Sequence, residues 1–296
     1  MPRHVSPMSL ALILLLLAAC TPPPPAPPPK LYLGPTLTMA DLISQINARN
    51  QQIPTLFANF DHFKAWFVDP KTNQTHYVDG EGNLQYTSPN KIRLRASNDL
   101  YGNLFDMGSD GEKYWVSIQQ GNEVWEGTYN TLMNVGPQDV PLQPDLVPEV
   151  LGVRPIDPDM NEQPVPVMRF DNEADAYIIT WNLHLPDRWV AQKEVRYDRA
   201  SLMPTMVKLY DSNGRALLVA KLSKPGPVKI DGIPQNQWPE IQTHYDLFFP
   251  PSGAKMAFDL ADVSLSHNGH PNAANYRMPN WDANQVVHNL DEPNPN

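Results

Sequence analysis

The residues best placed to do chemistry are Leu17-Ala18-Ala19-Cys20, a run of small and apolar residues that ends in the chain's only cysteine. Ahead of Cys20, Leu10–Ala19 consists of Ala, Leu and Ile alone, and Met1–Ser9 carries Arg3 and His4 without an acidic residue. About 20 apolar residues are needed to cross a bilayer core, so this shorter run has the form of a signal-peptide h-region. The small side chains of Ala18 and Ala19 suit a processing peptidase, and Cys20 then stands where a bacterial lipobox cysteine receives its diacylglyceryl thioether. Each buried methylene contributes about 0.8 kcal/mol, and one acyl chain alone anchors only marginally. Two or more chains on Cys20 are therefore expected to hold the processed protein on a membrane. Thr21, rather than Asp, follows the cysteine; by analogy with enterobacterial sorting this favours the inner, periplasmic face of the outer membrane.

Other candidates for chemistry are weaker. With Cys20 lipidated, no thiol remains for a disulfide, a nucleophile or a zinc-thiolate site. His267 and His270 are three apart, but they lie in Ser266-His267-Asn268-Gly269-His270-Pro271 with no third ligand at an evident spacing. Asp157, Asp159 and Glu162 gather near Arg154, yet they lack the central Gly and terminal Glu of a calcium loop and are expected to form a polar loop. There is no Gly-x-Ser-x-Gly elbow, His-Glu-x-x-His helix or phosphate-cradling glycine loop. No catalytic residue, metal or cofactor is expected.

The surrounding elements set the context. Pro22–Pro25 and Pro27–Pro29, interrupted by Ala26, favour an extended polyproline stalk; residues 21–35 could span up to about 40 Å. A formal charge of −10, more negative once Arg3 leaves with the signal, excludes a nucleic-acid partner. The folded part is expected over residues 36–266, followed by an Asn- and Pro-rich tail, 267–296, that wraps the surface as far as Trp281 and then frays.

Within the folded part, Thr38 and Asp41 resemble a capping box, with Met39, Leu42, Ile43 and Ile46 on one face of the helix that follows. A second short helix is expected over residues 146–151, with Asp145 as its N-cap, Pro148 in its first turn and Gly152 as its stop. Period-two alternation dominates elsewhere, with turns at Asp79-Gly80-Glu81-Gly82-Asn83, Asp110-Gly111 and Asn213-Gly214. The order helix, strands, helix, strands excludes a doubly wound parallel sheet and predicts a mainly β fold, an antiparallel meander curled into an open barrel. Its strands carry one strongly apolar face, including Ile92, Leu94, Tyr114, Val116, Leu218, Tyr245 and Leu247, and Ile43 and Ile46 face it from the first helix. The helices are few for so much apolar sheet. Either the core is closed in the ordinary way, or these nine residues line a cavity for a hydrophobic ligand.

The segment from Leu94 to Val116, LRASNDLYGNLFDMGSDGEKYWV, resembles the central hairpin of the LolA/LolB-like lipoprotein-carrier superfamily. A strand there enters a Gly-containing loop, returns as an aliphatic-aromatic strand, turns at Asp110-Gly111 and continues as an aromatic strand. The helix-first order and the short helix before Gly152 fit as well. The resemblance implies an incomplete, curved antiparallel β-barrel with a helical lid around a cavity that accepts acyl chains of lipids or lipoproteins. A lipid-anchored chain is more similar to the membrane-bound acceptor than to the soluble carrier, although the long stalk, extra length and Asn-rich tail depart from the acceptor's pattern. Two rival classes remain: an envelope scaffold or interaction lipoprotein with a filled core, and, less favoured, a hydrolase.

Replacing Cys20 with Ser, in a chain from which residues 1–19 have been removed, is expected to release a folded protein from the membrane. Recovery of that variant in the membrane pellet after a salt wash would refute lipid anchoring.

Overall fold

The computed structural model describes residues 32–68, 72–100, 102–118, 122–129, 144–265 and 273–292. Cys20, the proline stalk to residue 31, His267 and His270 lie outside these. Helix α1 (Met39–Asn50) leads into six strands: β1 (Thr55–Val68), β2 (Thr75–Thr87), β3 (Lys91–Asn98), β4 (Gly102–Asp110), β5 (Lys113–Ile118) and β6 (Glu123–Thr128). A 3-10 turn and the short helix α2 (Val147–Leu151) precede a second meander of β7 (Val165–Asp171), β8 (Ala176–His184), β9 (Trp189–Asp198), β10 (Pro204–Tyr210), β11 (Ala216–Pro227), β12 (Glu240–Phe249) and β13 (Ala254–Ser264). Strand β14 (Val286–Asn289) comes last.

Among the described residues, fourteen strands form one curved sheet in the order β14-β6-β5-β4-β3-β2-β1-β13-β12-β11-β10-β9-β8-β7, not closed into a barrel. Neighbours are antiparallel except β14 and β6, which run parallel. The two meanders join where β1 pairs with β13, and this ladder carries register shifts at Phe57/Asn59 and Asp61/Lys64. His62 and Asp262, in these two strands, have left-handed φ angles of 54° and 52°. Bulges of this kind bend a strand and increase its twist, so the curvature is concentrated at the seam.

Both helices form where expected. Thr38 caps α1, its Oγ1 accepting from the Asp41 N–H at 3.2 Å and donating to the Asp41 carboxylate at 2.7 Å. For α2, Leu146 rather than Asp145 stands at the N-cap, with no side-chain cap bond, while Gly152 ends the helix at φ 70°.

Three further expectations are corrected. Asp79–Asn83 is not a turn but the interior of β2, a single strand of 13 residues. Gly80 and Gly82 stand opposite Phe63 and Phe60 of β1, and a Cβ on Gly82 would lie 2.8 Å from the Phe60 ring and 2.0 Å from the Arg95 carbonyl oxygen. The glycines admit close neighbours within the sheet rather than reversing the chain.

The C-terminal segment, moreover, does not fray at Trp281 but stays docked as far as Asp291. Trp281 donates from Nε1 to Glu126 at 2.6 Å, β14 then extends the sheet, and the Asp291 carboxylate accepts from the Thr128 N–H at 3.0 Å and its hydroxyl at 2.9 Å. At the other end, the ordered contacts begin before Thr36: Arg199 donates to the carbonyls of Tyr32 and Gly34, and Asp175 accepts from the Tyr32 N–H.

Because Leu290 packs against the core and its N–H bonds to Glu126 O at 2.9 Å, deleting residues 290–296 is expected to cost about 2 kcal/mol. That corresponds to a fall of about 4–8 °C in thermal midpoint, measurable by calorimetry; an unchanged midpoint would show that the docking is energetically idle.

Candidate functional site

The inner face of the sheet is the candidate site. Alternation along the strands sends Ile92 and Leu94 of β3, Tyr114 and Val116 of β5, Leu218 of β11, and Tyr245 and Leu247 of β12 to the concave side, where Ile43 and Ile46 of α1 meet them. The structure brings all nine sequence-predicted residues into one apolar cluster, each no more than 7% exposed. Aromatic rings run through it at the seam: Phe60 and Phe258 lie 5.0 Å apart, and Phe258 stacks on Tyr245 at 4.9 Å. Tyr245 donates its hydroxyl proton to the Gln242 carbonyl at 2.6 Å, and burial pushes its pKa above the ordinary tyrosine range.

Helix α1 occupies the concavity, and its polar residues fix it there. Asn47 forms a two-way pair with Ile156, donating to its carbonyl at 2.7 Å and accepting from its N–H at 2.8 Å. Asn50 donates to the Arg154 carbonyl at 2.9 Å. Arg49 reaches the Leu202 carbonyl at 2.8 Å and the Gly152 carbonyl at 3.3 Å. Burial lowers the Arg49 pKa, partly offset by neighbouring Tyr197; burial, reinforced by Glu149, raises that of Tyr197. Glu149 of α2 is held in turn by Lys193 at 2.7 Å and Arg154 at 3.6 Å. The helix therefore presents apolar side chains to the sheet and amides to the segment after α2.

Beside α1 a cleft of about 350 Å³ opens between Ala40, Ile43, Ser44 and Asn47 on the helix and Pro158 and Met160 opposite. Of the nine predicted residues only Ile43 borders it. The wall beyond the helix was hidden in the sequence, because residues 154–162 show themselves as charges and prolines. The carboxylates there serve the loop itself: Asp157 accepts from the Asp159 N–H and Asp159 from the Asn161 N–H, both at 2.9 Å. Ile156 is buried and Met160 packs on the core. A signal for the latch was present, since Asn47 and Asn50 continue the helical stripe of Ile43 and Ile46, where polar residues need partners. Among the described residues, no three His, Cys, Asp or Glu side chains are grouped so as to hold a metal, and no helix is long and apolar enough to cross a membrane.

No family model matches the chain, and no curated protein matches it. Among solved structures it is similar to an outer membrane lipoprotein-sorting protein domain from Vibrio parahaemolyticus, with 9% identity and a TM-score of 0.50 over 80% of this chain and 95% of that one. It also matches a LolA superfamily protein from Nitrosomonas europaea, with 11% identity and a TM-score of 0.47 over 80% and 97% of the two chains. A DUF1329 family protein from Desulfovibrio piger follows, with 10% identity and a TM-score of 0.47 over 79% and 94%. The likeness to the Vibrio domain is one of fold.

Asn47→Ala removes both bonds to Ile156 and leaves its buried main-chain groups without that partner. A loss of about 1–3 kcal/mol is expected, read as a lower denaturant midpoint at unchanged slope. A variant as stable as the parent would show that the amide does not hold α1 in place.

Proposed function

We propose that this protein is a lipid-anchored envelope lipoprotein that binds the acyl chains of lipids or lipoproteins on its concave apolar face, without catalysis. The observation that carries this reading is the plugging helix. An apolar concavity drawn from both meanders is filled by α1, which is held along one side by amide and guanidinium hydrogen bonds that water could replace. Displacement of α1 from the segment 152–160 would widen the cleft at Ile43 and expose an apolar trough. Because burial there is non-directional, such a trough accepts any acyl chain that fits. The fold shared with the Vibrio lipoprotein-sorting domain supports this assignment. Attachment through Cys20 and residence at the periplasmic face of the outer membrane belong to the same proposal.

One observation favours a second reading. The nine inner-face residues are packed and buried with α1 in place, as they would be in an envelope scaffold whose outer surface does the work. An acyl probe separates the two. The mature chain carrying Cys20→Ser is expected to take up one fluorescent fatty acid per molecule. Leu94→Asn is expected to weaken that uptake about tenfold without unfolding the protein, since burying an unpaired amide costs about 1–3 kcal/mol. Absence of uptake by the parent chain would leave the scaffold reading.

A further inference from the structure

The outer face of the sheet carries a second apolar surface, unrelated to the interior. Trp66 of β1 is paired across the ladder with Tyr77 of β2 on one side and Lys255 of β13 on the other. Lys255 pairs with Phe248 of β12, and Phe248 with Val219 of β11. Directly paired residues share a face. Ala65, Met256 and Leu247, one position along the same strands, pack on the interior, so this row of five points outward.

The Trp66 and Tyr77 rings lie 5.4 Å apart. Tyr77 is 51% exposed, and Phe248 and neighbouring Val68 are each 39% exposed. A cleft of about 400 Å³ adjoins them, bounded by Trp66, Phe67, Val68, Thr75, Gly253 and Lys255.

The charge of this surface runs against that of the chain. The protein has a formal charge of −10, yet the row and its cleft contain Lys255 and no carboxylate. Two lysines elsewhere on the outer face are paired, Lys224 with Asp259 and Lys208 with Glu194, both at 3.0 Å. Lys255 has no carboxylate within ion-pair distance among the described residues. The next outward row carries both signs, with Lys64 opposite Asp79 and Lys221 opposite Asp246. On the other half of the sheet the outward Trp115 is buried, with the C-terminal segment held over the neighbouring Arg93.

We propose that this row is a peripheral docking site for an anionic bilayer surface. Trp and Tyr favour the boundary between acyl chains and headgroups. A lysine among them can lay its methylenes along the apolar surface while its ammonium reaches a phosphate. The site is independent of the acyl-binding reading and of Cys20.

The test uses the mature chain with Cys20→Ser, so that no lipid of its own contributes. Co-sedimentation is measured with vesicles of phosphatidylethanolamine containing a minority of phosphatidylglycerol, and with vesicles of zwitterionic lipid alone. Binding to the anionic vesicles is expected to exceed binding to the zwitterionic ones. The triple variant Trp66→Ser, Tyr77→Ser, Phe248→Ser should lose about tenfold or more in vesicle affinity. Lys255→Glu, which leaves Trp66, Tyr77 and Phe248 in place, should abolish the preference for phosphatidylglycerol. Both variants should retain uptake of the acyl probe, and Leu94→Asn should retain vesicle binding. The proposal fails if the parent chain does not bind anionic vesicles, or if Lys255→Glu binds them as the parent does. It also fails if the row instead mediates a dimer, seen by sedimentation velocity and abolished by the triple variant, without vesicle binding.

Discussion

The structure depends on one ladder, the pairing of β1 with β13. Every other antiparallel pair joins consecutive strands, whereas this one closes about 190 residues of chain. Closing a loop about thirty times longer than an ordinary connection costs about 3 kcal/mol more. The seam offsets this with side chains that neither meander buries alone. Phe60 stands opposite Leu260 and Ala65 opposite Met256, and Phe60 meets Phe258 ring against ring. Each large apolar side chain fully buried contributes about 1.5–3 kcal/mol, so two or three such contacts decide the balance. The bulges at the seam also bend the sheet, so one ladder both joins the halves and shapes the concavity.

Bending creates a requirement of its own. An open sheet with a strongly apolar inner face must be covered, and α1 is the only long helix among the described residues. Leu42, Ile43 and Ile46 meet the sheet, but three polar residues near the end of the helix determine where it sits. Main-chain groups of residues 152–156 and 202 accept or donate to Asn47, Arg49 and Asn50. These bonds are directional, while the apolar contacts beneath them are not. A plug held in this way has a defined position and a modest barrier to leaving it, since a typical hydrogen bond contributes a net of about 1 kcal/mol.

The outer face divides into two parts. Over β3 to β6 the C-terminal segment covers the sheet: Arg93 pairs with Asp106 beneath it and donates to the Arg277 carbonyl at 2.8 Å. Trp115 lies against Gly108, where a Cβ would approach its ring to 2.4 Å. Around the seam, by contrast, Tyr77 and Phe248 are exposed and Trp66 beside them is half-buried. Aromatic side chains of the same kind are thus buried structure on one part of the sheet and free surface on another, according to what the rest of the chain lays over them.

Much of this was legible in the residues. The Thr38 cap, the Ile43 and Ile46 stripe, the alternation in β3, β5 and β12, and the stop at Gly152 are local signals, each produced by a few neighbouring side chains and the backbone geometry they favour. They determined the mainly β class, the element order and the membership of the inner face. Other features were settled only when distant segments met. Gly80 and Gly82 have the composition of a turn, yet they lie within a strand because Leu104 and Phe60 lie so close to them that a Cβ would clash. The last residues are too polar to fold alone, but β6 offers an unpaired edge and Thr128 a partner for Asp291. Asn47 became a latch only when Ile156 was brought to it. A local pattern specifies which way a side chain points, whereas the partner it finds is set by the tertiary structure, with Ile156 lying 109 residues from Asn47 and Asp291 lying 163 from Thr128.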